Sequence, residues 1–205
     1  MVDFRLYLVT DRAQIGRTLV EVVEECLAAG LRAVQLREKD LPEAEFLALA
    51  RPLRDVTRRV GARLFINGRL AAALAVGADG LQRGHEAPPL ATLRKRAPRL
   101  SIGASVHGVG EARAAERDGA DFIVFGPVYD TPSKRAYGPP QGVDALADVV
   151  KVVSVPVFAI GGITADRVAA VRAAGAHGVA VISAIFGAER AGEATKQFIE
   201  VLGSA

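Results

Sequence analysis

The chain has 205 residues, half of them apolar, which indicates one domain over residues 1–205 with a large buried core. Its net charge of +3 is small and dispersed, so we expect no nucleic-acid partner, and no apolar run reaches membrane-spanning length, so we expect no membrane partner. Cys26 is the one cysteine, which excludes an internal disulfide, and the sequence enters a strand pattern without a signal peptide, so we expect a cytoplasmic protein.

Eight short runs rich in β-branched residues predict strands that are covered on both faces. In chain order they are Leu6–Val9, Ala33–Arg37, Arg63–Ile66, Gly80–Gln82, Ser101–Ala104, Phe122–Phe125, Val157–Ile160 and Gly178–Ile182. Alanine-rich segments with helical spacing lie between them, for example residues 18–29 and residues 164–174, where Thr164 is the expected N-cap.

Four junctions share one pattern, in which a glycine ends a helix and an apolar strand follows at once. Their glycines are Gly30, Gly77, Gly119 and Gly175. Glycine readily adopts the left-handed backbone that caps a helix. About eight βα units along one chain are best closed as a parallel barrel. The sequence therefore predicts the α/β class and a single (β/α)8 TIM barrel, with its active site at the carboxyl ends of the strands.

The second predicted strand runs on into polar residues. Strand alternation places Gln35, Arg37 and Lys39 on one face. A polar, cationic row that points into the mouth of a barrel is costly unless it binds an anion. The alternative interpretation is a layer of salt bridges with Glu38 or Asp40.

The last two strands end in a pattern that is typical of phosphate sites in barrels. Gly161 and Gly162 follow the seventh strand, and Ile182 and Ser183 end the eighth strand where a helix opens. Backbone N–H groups in such places hold an anion. A plain tight turn is the alternative interpretation for the paired glycines.

Residues 127–142 form the longest irregular segment, and long loops in compact barrels usually carry function. This loop places the hydroxyls of Thr131 and Ser133 beside the ammonium group of Lys134. Asn67, at the end of the third strand, offers an amide at the same rim.

These blocks, in this order, resemble the family of thiamine-phosphate synthase and its TenI-type relatives over essentially the whole chain. The matching segments are residues 7–11, 34–39, 65–67, 78–80, 105–107, 125–128, 131–134, 138–142, 159–163 and 179–183. The resemblance implies a TIM barrel that binds a thiazole phosphate. In the synthases an aminopyrimidine pyrophosphate is joined to it, with Mg²⁺, and pyrophosphate is released.

The resemblance also implies roles for individual residues. Positions on the pyrophosphate side match Gln35, Arg37, Lys39, Asn67 and Lys134. Hydroxyls that contact the ligand match Ser105, Thr131 and Ser133, and backbone donors to the thiazole phosphate match Gly162, Ile182 and Ser183.

Two departures concern the metal. The family's two aspartate ligands are replaced here by Gly68 and Ala87, and Glu86 is the one carboxylate left in those motifs. Because Mg²⁺ needs carboxylates beside the substrate's oxygens, we expect no protein metal ligand, with Mg²⁺ as a cofactor only if the chain is a synthase. Without the metal, charge on pyrophosphate would depend on Arg37, Lys39 and Lys134 alone.

Gln82, where synthases usually have histidine, is similar to TenI-type proteins. These include a thiazole tautomerase, which isomerises a carboxythiazole phosphate by proton transfer and needs no metal. We therefore expect a tautomerase, an isomerase. Pro127 occupies the position of that enzyme's histidine, so the candidate acid–base residues are His85 and His107, unless each only bonds backbone.

Two further interpretations stay open. One is a thiamine-phosphate synthase with an unusual metal site, and the other is a non-catalytic regulatory binder of thiazole or thiamine phosphate. The expected partner is thus a small-molecule thiazole phosphate. No helix-turn-helix pattern supports DNA binding, and the helical exterior is suited to a homo-oligomer.

Overall fold

Eight parallel strands form a closed barrel in a computed structural model that describes residues 2–84, 87–131 and 139–203. Each strand pairs with its successor, and the last pairs with the first. The strands are β1 (Leu6–Val9), β2 (Ala33–Leu36), β3 (Arg63–Asn67), β4 (Gly80–Arg83), β5 (Ser101–Val106), β6 (Phe122–Phe125), β7 (Val157–Ile160) and β8 (Gly178–Val181). The predicted fold class and (β/α)8 barrel are confirmed, and every predicted strand agrees with the observed one to within two residues.

Helices cover the outside of the barrel. They are α1 (Leu19–Ala28), α2 (Glu43–Arg59), α3 (Leu70–Ala75), α4 (Leu90–Arg96), α5 (Val109–Arg117), α6 (Gly142–Val152), α7 (Val168–Ala173), α8 (Ser183–Phe186) and α9 (Ala191–Leu202). Short 3₁₀ turns lie at Arg12–Gln14 and Ala165–Arg167. Over the ranges that the structure describes, none of these helices combines the length and the apolar character needed to cross a membrane.

The helix predicted over residues 164–174 is divided in two. A 3₁₀ turn comes first and α7 follows it, and the Thr164 side chain makes no capping hydrogen bond. The Thr164 hydroxyl bonds the Asp166 carboxyl instead and lowers its pKa. Thr18 shows what a full cap requires: it accepts from the Glu21 backbone N–H, and the Glu21 carboxylate accepts from the Thr18 N–H.

Five aromatic rings fill the barrel at the end where the strands begin. We call this cluster the aromatic plug, and it consists of Phe4, Tyr7, Phe65, Phe122 and Phe158. Neighbouring ring centroids lie 5.1 to 6.1 Å apart, many in edge-on arrangements that suit aromatic quadrupoles. Two strand glycines make room for the rings: a Cβ would lie 2.3 Å from the Phe65 ring at Gly80 and 2.3 Å from the Phe122 ring at Gly103.

The four glycine junctions adopt the left-handed backbone that the sequence predicts. The φ angles are 104° at Gly30, 62° at Gly77, 98° at Gly119 and 92° at Gly175. Each of these glycines therefore ends its helix in a conformation that other residues adopt at a cost of about 1–2 kcal/mol. The strands that follow all start at one end of the barrel, which leaves their carboxyl ends together at the mouth.

Candidate active site at the barrel mouth

Polar side chains from three adjacent strands meet inside the mouth. Asn67 ends β3 and pairs in register with Gln82 of β4, which pairs with Gly103 of β5. The Gln82 amide Nε2 donates to the Ser105 Oγ at 3.0 Å. Gln82 is 1% exposed, so this hydrogen bond fixes the orientation of the Ser105 hydroxyl from below. The structure thus places Asn67 and Ser105 on either side of Gln82, and their role in binding a ligand stays a prediction.

The row predicted on the second strand divides between the interior and the rim. Gln35 is buried inside β2, whereas Arg37 and Lys39 line an open cleft of about 660 Å³ beside the 3₁₀ turn Arg12–Gln14. Within the described parts of the chain, no carboxylate lies at ion-pair distance from the Arg37 guanidinium. A cation without an acidic partner at the mouth is suited to an anionic ligand.

The acidic neighbours of this row pair with a residue that the sequence analysis did not consider. Glu38 and Asp40 both bind Arg12, at 3.0 Å and 2.5 Å. The predicted alternative of a salt-bridge layer is therefore partly right about the acids, but their cation comes from the loop after β1. Sequence alone gives little signal for this pairing because 28 positions separate Arg12 from Asp40.

The paired glycines after β7 support the loop that follows β6. The φ angles of Gly161 and Gly162 are 97° and 62°, and the Gly161 carbonyl accepts from the Tyr129 N–H at 3.0 Å. A Cβ on Gly162 would lie 2.6 Å from the Asp130 carbonyl oxygen, and one on Gly161 would lie 3.2 Å from the Thr131 Oγ1. Thr131 and the paired glycines thus lie side by side at the mouth.

Arg167 fixes the same turn from outside and was not predicted. Its guanidinium donates to the Gly162 carbonyl at 2.6 Å and lies 4.6 Å from the centroid of the Tyr129 ring. Arg167 thus links the loop after β6 to the loop after β7.

The eighth strand leads directly into the single-turn helix α8. Ile182 precedes this helix, and its carbonyl accepts from the N–H groups of Ile185 and Phe186 at 3.1 and 3.0 Å. The first N–H groups of a helix, here those of Ser183 and Ala184, have no partner within the helix. Because β7 pairs with β8, these donors belong to the same sector of the mouth as Gly161 and Gly162.

The two candidate histidines have different outcomes. His107 is exposed after β5, its Nδ1 lies 2.6 Å from the Gly126 carbonyl oxygen, and its backbone N–H donates to the Glu111 carboxylate. One ring nitrogen of His107 is therefore bonded to backbone. His85 lies outside the described residues, and so do Ser133 and Lys134.

The residues at the family's two metal positions do not fit a magnesium site. Gly68 has a φ of 68°, and a Cβ there would meet no atom within 4 Å, so the position offers space and no ligand. Ala87 offers none either. Among residues 2–84, 87–131 and 139–203, no group of three or more histidine, cysteine, aspartate or glutamate side chains could hold a metal ion.

A closed barrel of eight parallel strands, with glycines after β7, a helix start after β8 and cationic side chains at the rim, defines the class of (β/α)8 TIM barrels. The sequence profile described as thiamine monophosphate synthase matches residues 6–185. The chain therefore belongs to that family.

Similar proteins cover nearly the whole chain. A putative thiamine-phosphate synthase of Geobacter sulfurreducens is 57% identical, over 90% of this chain and 87% of its own length. A thiamine-phosphate synthase of Moorella thermoacetica is 43% identical, over 98% and 97%. A solved structure of a thiamine phosphate pyrophosphorylase from Pyrococcus furiosus is 39% identical and superposes with a TM-score of 0.90, covering 97% of this chain and 95% of that one.

The expectation of a TenI-like thiazole tautomerase, and hence of an isomerase, is wrong. Relatives at 43 and 57% identity carry the name of the synthase, and the similar solved structure is that of a thiamine phosphate pyrophosphorylase. The expectation depended on Gly68, Gln82 and Ala87, whereas the similarity extends over the whole barrel. The reason for a proton-transfer role at His85 and His107 disappears with the tautomerase.

Proposed function

We propose that the chain is a thiamine-phosphate synthase, a transferase that couples an aminopyrimidine pyrophosphate to a thiazole phosphate and releases pyrophosphate. The observation that carries the proposal is the 43% identity, over nearly the full length of both chains, to a relative with this name. A role on phosphorylated small molecules, which do not diffuse through membranes, is consistent with the cytoplasm as its location.

In this proposal Arg37 and Lys39 bind the pyrophosphate. Both line the cleft beside the mouth, and the Arg37 guanidinium has no described carboxylate as a partner. Negative charge grows on pyrophosphate as it leaves, and cations already in place stabilise that charge without reorganising. Lys134, the buried amide of Gln35 and the half-buried amide of Asn67 are proposed to act on the same side.

The thiazole phosphate is proposed to bind across the ends of β7 and β8. Gly161 and Gly162 provide backbone that approaches closely because no side chain intervenes, and Ser183 begins a helix whose first N–H groups are unpaired. The Thr131 hydroxyl lies in the loop after β6, which neighbours β7, and the Ser105 hydroxyl lies one strand further on, in β5. Both are proposed to contact the ligand, and Ser133 is proposed to join them.

Magnesium would neutralise charge on the pyrophosphate if it were bound. Since Gly68 and Ala87 supply no carboxylates, we propose that the protein holds no Mg²⁺ at these two positions and that cationic side chains carry that charge. The proposed chemistry therefore depends on Arg37, Lys39 and Lys134 more than it would with two aspartates present.

The test is turnover of both substrates, followed by product formation with and without Mg²⁺. Thiamine phosphate is the expected product, and Arg37→Ala is expected to lower kcat/KM by about 100-fold because a cation facing developing charge is lost. Arg51→Ala, on the exposed face of α2, is the matched control and should leave kcat/KM unchanged. Binding of thiazole phosphate without any product would overturn the proposal in favour of a regulatory binder.

A further inference from the structure

A buried carboxylate lies between the two cations of the rim. Glu38 is 3% exposed and lies in the wall of the same open cleft as its sequence neighbours Arg37 and Lys39. Strand alternation turns its side chain toward β1 and away from the mouth. There it accepts hydrogen bonds from the Thr10 hydroxyl at 2.7 Å, from the Arg12 backbone N–H at 3.2 Å and from the Arg12 guanidinium at 3.0 Å. A buried carboxylate with three donors is well compensated.

Arg12 extends this contact to the far side of Lys39. Its guanidinium donates to both carboxylate oxygens of Asp40, at 2.7 and 2.5 Å. The side-chain hydrogen bond from Arg12 lowers the pKa of Asp40 to about 2, so the pair stays charged at neutral pH. Arg12 therefore binds Glu38 and Asp40, the residues immediately before and after Lys39.

Thr10 links the same network to the backbone of Arg37. Its side chain is fully buried and its Oγ1 accepts from the Arg37 N–H at 2.9 Å while donating to Glu38. Its own N–H donates to the Gln35 carbonyl at 2.9 Å. The backbone from Gln35 to Glu38 is thus held against β1 at three points.

Arg69 holds the end of the segment from the opposite side. Its guanidinium donates to the Leu41 carbonyl at 2.6 Å and lies 4.3 Å from the centroid of the Phe46 ring. The loop that carries Arg37 and Lys39 is therefore fixed from β1 on one side and from the loop after β3 on the other.

We propose that Glu38 is a positioning residue for pyrophosphate, acting through the backbone of Arg37 and Lys39. We call its network with Thr10, Arg12 and Asp40 the Glu38 clamp. The clamp has two effects. It orients Arg37 and Lys39, and it pairs Glu38 and Asp40 with Arg12, so that Arg37 faces the ligand. This proposal rests on the proposed function, because that function makes pyrophosphate the anion of the row.

Electrostatics and positioning predict opposite changes in pyrophosphate affinity for the substitution Glu38→Gln. Glu38→Gln removes a negative charge next to an anion site, so Coulomb attraction alone would tighten pyrophosphate binding. Loss of the charged acceptor for Arg12 and Thr10 would instead loosen the loop and weaken binding. We expect the second effect to win, with the Kd for inorganic pyrophosphate about tenfold higher and the KM for thiazole phosphate unchanged.

The experiment is calorimetric titration of the full chain with inorganic pyrophosphate, with thermal unfolding of each variant alongside. Asp79→Asn is the matched control, since Asp79 also accepts from an arginine and from a backbone N–H but lies where the strands begin. It should lower Tm, as Glu38→Gln should, and leave pyrophosphate binding unchanged. Binding that is equal or tighter in Glu38→Gln would overturn the proposal, as would a wild type that does not bind pyrophosphate.

Thr10 provides a second, independent arm if Glu38→Gln fails to fold. Thr10→Ser keeps the hydroxyl and should retain the wild-type Kd for pyrophosphate. Thr10→Val keeps the shape without the hydroxyl and should weaken pyrophosphate binding. Equal affinity in these two variants would contradict the clamp. A silent synthase assay with weaker pyrophosphate binding in Glu38→Gln would refute the proposed function alone, and normal turnover with unchanged binding would refute the clamp alone.

Discussion

Arg54 of α2 donates to both carboxylate oxygens of Asp79, at 2.6 and 3.2 Å, at the end of the barrel opposite the mouth. Asp79 also accepts from the Leu64 N–H at 2.8 Å. The same arrangement recurs two strands later, where Asp121 accepts from Arg94 and from the Ile102 N–H, both at 2.7 Å. Each aspartate links the start of its own strand to the preceding strand, and also to the helix that comes before that preceding strand.

Both aspartates are therefore expected to stabilise the fold. Asp79→Asn and Asp121→Asn should each lower the free energy of unfolding by about 1–2 kcal/mol, a value reduced for partial exposure, and the losses should add because the sites are separate. Urea denaturation measures the change. Asp148→Asn, which breaks the exposed pair with Lys151, is the control and should change little.

Any side chain at Gly162 is expected to impair substrate binding because the loop after β6 packs directly against this residue. A Cβ there would lie 2.6 Å from the Asp130 carbonyl oxygen, so Gly162→Ala must displace the loop after β6. We expect the KM for thiazole phosphate to rise about tenfold or more in steady-state assays. Gly61 has a similar φ of 68° but open space around it, so Gly61→Ala should cost only about 1–2 kcal/mol of stability. Equal kinetic effects in the two variants would show that backbone strain alone is responsible.

His177 is expected to make stability depend on pH. Burial lowers the pKa of His177 below its ordinary 6.5, and the charges of Arg172 and Arg5 act in the same direction. The folded state thus binds the proton less tightly than the unfolded state, so stability is full above pH 6.5 and falls as pH drops through that value. Denaturation at about pH 7.5 and about pH 5.5 measures the loss. His177→Gln should lose less between these two values, and an equal loss would contradict the assignment.

Cys26 is expected to report unfolding. It is fully buried in α1, and burial raises the pKa of its thiol to about 11. At about pH 8 only ~0.1% would be thiolate, the reactive form, so a thiol reagent should label the native chain very slowly. Labelling followed over a urea series should rise in step with global unfolding. Fast labelling without urea would show that α1 opens locally.

The strands could be predicted from sequence because each has a local signal. Val157–Ile160 and Phe122–Phe125 are short apolar runs, and the glycine at each of the four helix–strand junctions has one backbone role whatever surrounds it. The proximity of Gly161 and Ser183 was also predictable, since they follow strands that must be neighbours in a barrel, whereas phosphate binding there stays a prediction.

The Glu38 clamp could not be predicted in the same way. Its central contact joins Glu38 to Arg12 across 26 positions, and nearer cations in the sequence, Arg37 and Lys39, were the obvious partners. The prediction of a tautomerase was wrong for a related reason. It takes Gly68 and Ala87, which replace two metal ligands, as evidence of a different reaction, although the rest of the barrel retains the pattern of the synthases.

The aromatic plug leaves the barrel blind at one end. The rings of Phe4 and Phe158 stack with their centroids 5.1 Å apart, and the interior beneath the mouth is packed at this end. The polar side chains inside the barrel, such as Gln82 and Ser105, can therefore be approached only from the carboxyl ends of the strands.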